Sequence, residues 1–194
     1  MNFYELSTLT VTHRGLSTAE AAIMRFLNRE EARGTVVGLW RTVAGPANQV
    51  VLLRGFESRP DLVAERDRAR RSENPFCCGH ALRGLEMASF VPFASSPPAA
   101  PGMHGGLYRL TTYNIRPAAL SAMEQRWNAA LDAGLSPGTI VAMYPMDGRP
   151  RVLELAACRK GADNPLEGGL ILSDDDLEEL CWPNTEVSAL MRLR

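Results

Sequence analysis

Gly34-Thr35-Val36-Val37-Gly38-Leu39-Trp40 is written again as Gly138-Thr139-Ile140-Val141-Ala142-Met143-Tyr144, 104 residues further on. The same spacing relates Tyr4-Glu5-Leu6-Ser7-Thr8 to Tyr108-Arg109-Leu110-Thr111-Thr112. It also relates Leu16-Ser17-x-x-Glu20 to Leu120-Ser121-x-x-Glu124. Three blocks in one register mark an internal duplication: two small modules, each needing its twin to bury an open face.

Between these blocks the pattern alternates strand and helix. Phe3–Val11 is rich in β-formers and reads as a strand. Ser17 and Glu20 match a capping box at the start of a helix whose Ala19, Ile23, Phe26 and Leu27 recur at helical spacing. Gly34 fits a left-handed cap closing it. Two strands, 35–43 and 49–57, flank the turn Gly45-Pro46-Ala47-Asn48. Ser58-Arg59-Pro60-Asp61 opens a second helix. Asn74-Pro75 restarts it, with Cys78, Ala81, Leu82 and Leu85 as an apolar stripe, and 86–92 reads as a fourth strand. The order is βαββαβ, the ferredoxin-like split unit. Phe93–Gly106 is a linker by its Pro and Gly content. The second copy then supplies strands 107–115, 139–146, 151–158 and 185–193, a helix at 121–133 and a shorter helix opened by Ser173. Glu86-Met87-Ala88 and Glu186-Val187-Ser188 are counterparts in the two fourth strands.

The expected fold is therefore α+β: tandem ferredoxin-like (βαββαβ) repeats forming an intrachain pseudo-dimeric α/β barrel. The first repeat is 1–93, the linker 94–106 and the second repeat 107–194. Each sheet carries helices on one face only, so the bare faces pack together and the space between them is the natural ligand pocket.

The bulk numbers limit function. The chain has 194 residues, is 45% apolar and 22% charged, and carries a net charge of −1. That is an ordinary globular composition without the basic excess that nucleic-acid binding needs. The run Arg66-Asp67-Arg68-Ala69-Arg70-Arg71 is interleaved with acids and reads as a solvated helix face. No apolar run approaches the roughly 20 residues of a membrane helix, and the start lacks the pattern of a secretion signal. The expectation is a cytoplasmic protein with reduced cysteines, no nucleic-acid or membrane partner, and a small-molecule ligand. A homo-oligomer is compatible with this reading.

Gly38-Leu39-Trp40-Arg41-Thr42, Gly45-Pro46-x-Asn48-Gln49-Val50-Val51 and Phe56-Glu57-Ser58 together resemble the signature of NIPSNAP proteins. Pro101-Gly102 through Gly106-Leu107-Tyr108-Arg109-Leu110-Thr111-Thr112-Tyr113 is similar to that family's entry into its second repeat. The resemblance implies the dimeric α/β-barrel superfamily, whose members include small monooxygenases, isomerases and haem-handling proteins. The third strand departs from the family's His-Leu-Trp-Arg-Tyr, reading Leu52-Leu53-Arg54-Gly55-Phe56 here.

Candidate site residues follow from the duplication. Glu5 and Arg109 are equivalent; Glu5 shares a strand face with Ser7 and Leu9, and Arg109 with Thr111 and Tyr113. If that face lines the space between the sheets, Glu5 is a desolvated base, with Arg109 and Tyr113 as polar anchors for an anionic oxygen. The competing reading is a structural ion pair. Trp40 and Tyr144, equivalent by the same spacing, are flat walls for a partly aromatic ligand or simply core. Asn48 either orients a ligand carbonyl or serves its turn.

Cys77 and His80 share a helix face but lack further ligands, so no metal and no cofactor are expected. His104 lies in the linker, and His13 follows the first strand as a surface residue or an acid–base group. The functional expectation is a protein that binds or converts a small molecule between its sheets, by cofactor-independent proton transfer or oxygenation if it is catalytic. The alternative is a non-catalytic adaptor or oligomeric scaffold, marked by a cavity filled with its own side chains beside a large apolar outer patch.

Overall fold

A computed structural model of the chain describes residues 1–96, 98–102, 106–133, 138–158, 174–183 and 185–193. The first half runs β1 (Phe3–Val11), α1 (Leu16–Leu27), β2 (Thr35–Ala44), β3 (Gln49–Phe56), α2 (Arg59–Arg71) and β4 (Leu82–Pro92). The second runs β5 (Leu107–Asn114), α3 (Leu120–Asp132), β6 (Thr139–Pro145), β7 (Arg151–Ala157), α4 (Asp174–Leu180) and β8 (Glu186–Arg192). The strands close into one antiparallel barrel in the order β1-β3-β2-β8-β5-β7-β6-β4. Each half is a β4-β1-β3-β2-type sheet. The halves are hydrogen-bonded to each other along β2–β8 and β4–β6, so the two bare faces become the inside of a single barrel. Closure removes every sheet edge.

Both faces of every sheet are thereby covered. Inside, Tyr4, Trp40, Leu53, Phe90, Tyr108, Met143 and Leu155 belong to one cluster. An eight-stranded barrel is just wide enough for such side chains to fill it. Outside, Leu9, Leu52, Ile23, Phe26 and Phe76 form a second cluster beneath α1 and α2. Tyr113, Met123, Trp127, Val152 and Leu180 form a third beneath α3 and α4.

Gly38 explains one close fit. The Trp40 indole lies over it, 2.2 Å from where a Cβ would stand, so no larger residue leaves room for the ring. The linker does more than connect. Ala99 is buried in the inner cluster, and its N–H donates to the Tyr4 hydroxyl at 3.1 Å, closing one end of the barrel.

Several local expectations change. The capping box does not form: α1 begins at Leu16, and the Ser17 hydroxyl donates to the Arg14 carbonyl. Thr12 instead accepts from Gly15 N–H, capping a short 3-10 turn. Gly34 has the expected positive φ (82°) but lies beyond the end of α1, at the entry to β2 against the Phe56 ring. The stripe Cys78-Ala81-Leu82-Leu85 is not helical. Phe76 and Cys77 both take left-handed φ (51° and 54°), which breaks any helix; they belong to the 3-10 turn Pro75–Cys77, a second turn, Gly79–Ala81, follows, and β4 starts at Leu82. Ser173 lies outside the described residues.

Candidate functional site

The duplicated residues converge at the end of the barrel away from Ala99. Thr8 on β1 stands opposite Val51 on β3 and Glu86 on β4. Thr112 on β5 stands opposite Leu153 on β7 and Glu186 on β8. One pleat further out, Gln49 faces Thr10 and Arg151 faces Asn114. These pairs surround a solvent-reachable recess of about 180 Å³, lined also by Leu6, Leu110, Thr42 and Ser188. In the strand order Glu86 and Glu186 are four strands apart in a ring of eight, so they confront each other across the mouth, as do Gln49 and Arg151.

The mouth is chemically unsaturated. Glu86 and Glu186 are exposed, and among the described residues neither carboxylate is ion-paired. Arg151 is half-buried and meets no carboxylate either; its guanidinium carbon lies 5.6 Å from the centroid of the buried Phe90 ring, a cation–π contact that holds it toward the barrel axis. The Thr42 hydroxyl is buried at the wall without a protein partner. A buried polar group of this kind calls for an explanation, and a ligand is one.

The residues singled out from sequence fall elsewhere. Glu5 and Arg109 lie on the helix-facing side of their strands; Tyr4, Leu6 and Thr8 face inward. The expected face is therefore reversed. Glu5 is fully buried and accepts from the Ser7 hydroxyl (3.1 Å) and from Arg54 Nη2 (2.5 Å). Arg54 also pairs with Glu65 of α2, and Glu65 is bridged by Arg68 at 2.6 and 2.8 Å. Burial pushes the Glu65 carboxyl up, but the Arg68 hydrogen bonds and the Arg54 charge outweigh it and hold it below the usual carboxylate range.

Arg109 and Tyr113 do come together, joined by a carboxylate the sequence reading missed. Glu154 on β7 accepts from the Tyr113 hydroxyl (3.2 Å) and from Thr139 (3.0 Å), with Arg109 Nη2 at 3.7 Å. Desolvation raises the Glu154 pKa, and the Arg109 charge and the two hydroxyls only partly offset it. Burial, and then the Glu154 charge, raise the Tyr113 phenol well above its ordinary value.

Trp40 and Tyr144 are not counterparts. Gly38 pairs with Leu53, and Val141 with Leu155, so the register matches Trp40 to Met143. One residue fewer before β6 puts Tyr144 on the outer face, against Phe93 at 5.7 Å. Trp40 stays inside, edge-on to Tyr108 at 5.4 Å, in the filled half of the barrel rather than at the mouth. Asn48 has φ 58° in the β2–β3 turn, and its carbonyl accepts from Val11 N–H; its neighbour Gln49 lines the mouth. Cys77 and His80 line a different recess outside the barrel. Among the described residues no group of three or more His, Cys, Asp or Glu is placed to hold a metal. His104 lies outside the described residues, and no described helix is long and apolar enough to cross a membrane.

No protein-family model matches the chain, and no curated protein matches it. Solved structures do. An anthrone oxidase-like protein superposes with a TM-score of 0.67 at 10% identity, over 100% of this chain and 92% of its own. A putative monooxygenase from Lactobacillus acidophilus gives 0.62 at 11%, over 99% and 94%. A haem-binding protein from Thermus thermophilus gives 0.56 at 12%, over 100% and 92%. Identities this low establish likeness of fold: the chain has the dimeric α/β-barrel architecture, with both halves supplied by one polypeptide.

Proposed function

We propose that the protein binds a small amphoteric molecule at the barrel mouth. The observation that carries this is the unpaired set at the mouth: Arg151 for an acidic or carbonyl oxygen, Glu86 and Glu186 for donors or a cation, and the partnerless Thr42 hydroxyl in the wall. The recess is smaller than a drug-sized pocket, so the ligand is of amino-acid size. Its aromatic content is not selected, because Tyr4, Trp40, Phe90 and Tyr108 pack on one another in the inner cluster. A haem does not fit: the recess is about 180 Å³ and its lining holds no His, Cys, Met or Tyr to ligate iron. The NIPSNAP resemblance at 34–58 and 101–115 is the finer family placement we infer.

Large exposed hydrophobics among the described residues are Val43, Val63 and Trp182, on three separate segments, which argues against an adaptor surface. Native mass spectrometry of freshly purified protein, with titrations of serine and 4-aminobutanoate, tests the binding reading. Saturable binding that is lost in Arg151→Gln supports it. Absence of any saturable binding, or binding indifferent to Arg151, refutes it.

A second reading rests on Glu154. A desolvated carboxyl hydrogen-bonded to a phenol, beside a guanidinium, is the arrangement of a proton-transfer site. Here Glu154 takes the proton, while Arg109 and Tyr113 steady the resulting oxyanion. Oxygen uptake with anthrone as probe tests it: Glu154→Gln lowers the rate about 100-fold or more if Glu154 is the base, and equal rates exclude that role.

A further inference from the structure

A second recess of about 490 Å³ lies outside the barrel, between α1 and residues 74–81. That volume is ordinary for a small-molecule site. Its apolar floor includes Ala19, Ala22 and Ala81; Arg14, Arg25 and His80 stand around it, and none of its lining residues is acidic.

Neither arginine is compensated by an acid at the recess. Arg29, Arg33, Arg54, Arg68 and Arg71 in the same half each meet a carboxylate, while Arg41, Arg59, Arg66, Arg70 and Arg83 are, like these two, without an ion pair among the described residues. Among the described residues Arg14 and Arg25 form no ion pair, in a chain with 22 acidic residues to 21 basic ones. The first turn of α1, which begins beside Arg14, has no acid and no side-chain cap to offset its dipole. The opposing wall is fixed. Phe76 is buried against Phe26 of α1 at 4.9 Å, and Asn74 Oδ1 accepts from Gly79 N–H at 2.7 Å. The left-handed φ values of Phe76 and Cys77 are strained geometry of the kind that clusters at ligand sites. Cys78, whose thiol burial pushes up to about 11, belongs to the inert floor.

Arg14 and Arg25 are eleven residues apart, about 16 Å along a helix. They flank opposite ends of the recess rather than one point. We infer that this groove binds an elongated dianion, with one oxyanion at Arg14 and His80, the other at Arg25, and a short apolar body over Ala19 and Ala22. Carboxylate and phosphoryl ends share this chemistry.

Calorimetric titration of the full chain with adipate, 4-phosphonobutanoate and hexanoate tests it. At least one dianion binds about tenfold more tightly than hexanoate, and the preferred one names the end group. Arg14→Gln and Arg25→Gln, both exposed and outside the core, each reduce that affinity to the hexanoate level. Arg151→Gln, at the barrel mouth, leaves it unchanged. Dianions that bind no better than hexanoate, or binding that survives both groove variants, or binding lost only with Arg151, overturns the inference.

Discussion

Replacing Arg54 by Met isolates the charge network beneath α2. The guanidinium holds Glu65 through Nη1 and Glu5 through Nη2, and all three side chains are sealed from solvent. Their fates differ once it is gone. Glu65 keeps the Arg68 bonds and the Arg33 N–H. Glu5 keeps only the Ser7 hydroxyl, and its Oε2 has no partner to begin with. One charge is therefore stranded, and stranding a buried charge costs about 3–5 kcal/mol. For a chain of this size that lowers Tm by roughly 6–20 °C. Glu5→Gln alone leaves Arg54 paired with Glu65 and costs about 1–2 kcal/mol. The pair Glu5→Gln/Arg54→Met removes the stranded charge, so it is more stable than Arg54→Met by about 2 kcal/mol. Urea denaturation of the four proteins at pH 7 measures the cycle. If the double variant is no more stable than Arg54→Met, Glu5 is not the charge that Arg54 neutralises.

Glu154 has a raised native pKa, so its contribution is fully present below the unfolded value near 4.5 and is lost as pH rises through the native one. Wild type therefore loses stability relative to Glu154→Gln as pH rises from about 4.5 through the raised native value, read from denaturation midpoints at each pH. Glu65 behaves oppositely: its native pKa is lowered, so the cost of Glu65→Gln is full at pH 7 and fades as pH falls through that lowered value. Gly34→Ala costs about 1–2 kcal/mol or more, because a Cβ there meets the Phe56 ring at 2.5 Å and φ is 82°. Trp40→Ala, by emptying the barrel interior, costs about 3–5 kcal/mol without removing a mouth residue; both are read from thermal melts.

The barrel itself was legible because a repeat with one covered face per copy has few ways to close. The orientation of its strands was not read, for a physical reason. Both faces of each strand are buried, one inside the barrel and one beneath helices, so polarity does not tell them apart. Glu5-Ser7-Leu9 carries more polar atoms than Tyr4-Leu6-Thr8, yet it is the helix-facing set. Trp40 was paired with Tyr144 because the 104-residue spacing was carried past a one-residue shortening that only strand register reveals. Glu154 was missed because its counterpart opposite Ser7 is Leu52, so comparing the copies gave no hint of a carboxylate there.

A signal for orientation was nonetheless present in the duplication. At the inward positions of β1 and β5 the two copies are identical: Tyr4 and Tyr108, Leu6 and Leu110, Thr8 and Thr112. At the outward positions every pair differs: Glu5 and Arg109, Ser7 and Thr111, Leu9 and Tyr113. The inward residues of β1 and β5 face the same barrel interior, so both copies share one environment and one solution serves twice. Outward residues pack under different helices, and nothing ties their chemistry together. The first half accordingly holds a compensated network, Glu5–Arg54–Glu65–Arg68. The second holds a long Arg109–Glu154 pair with a phenol attached. The same logic separates the two functional readings. A ligand at the mouth meets residues both copies share, Thr8 with Thr112 and Glu86 with Glu186, together with Arg151, which stands where the first copy has Gln49. Proton transfer at Glu154 uses only what the second copy has acquired, so Glu154→Gln leaves mouth binding intact while Arg151→Gln leaves proton transfer intact.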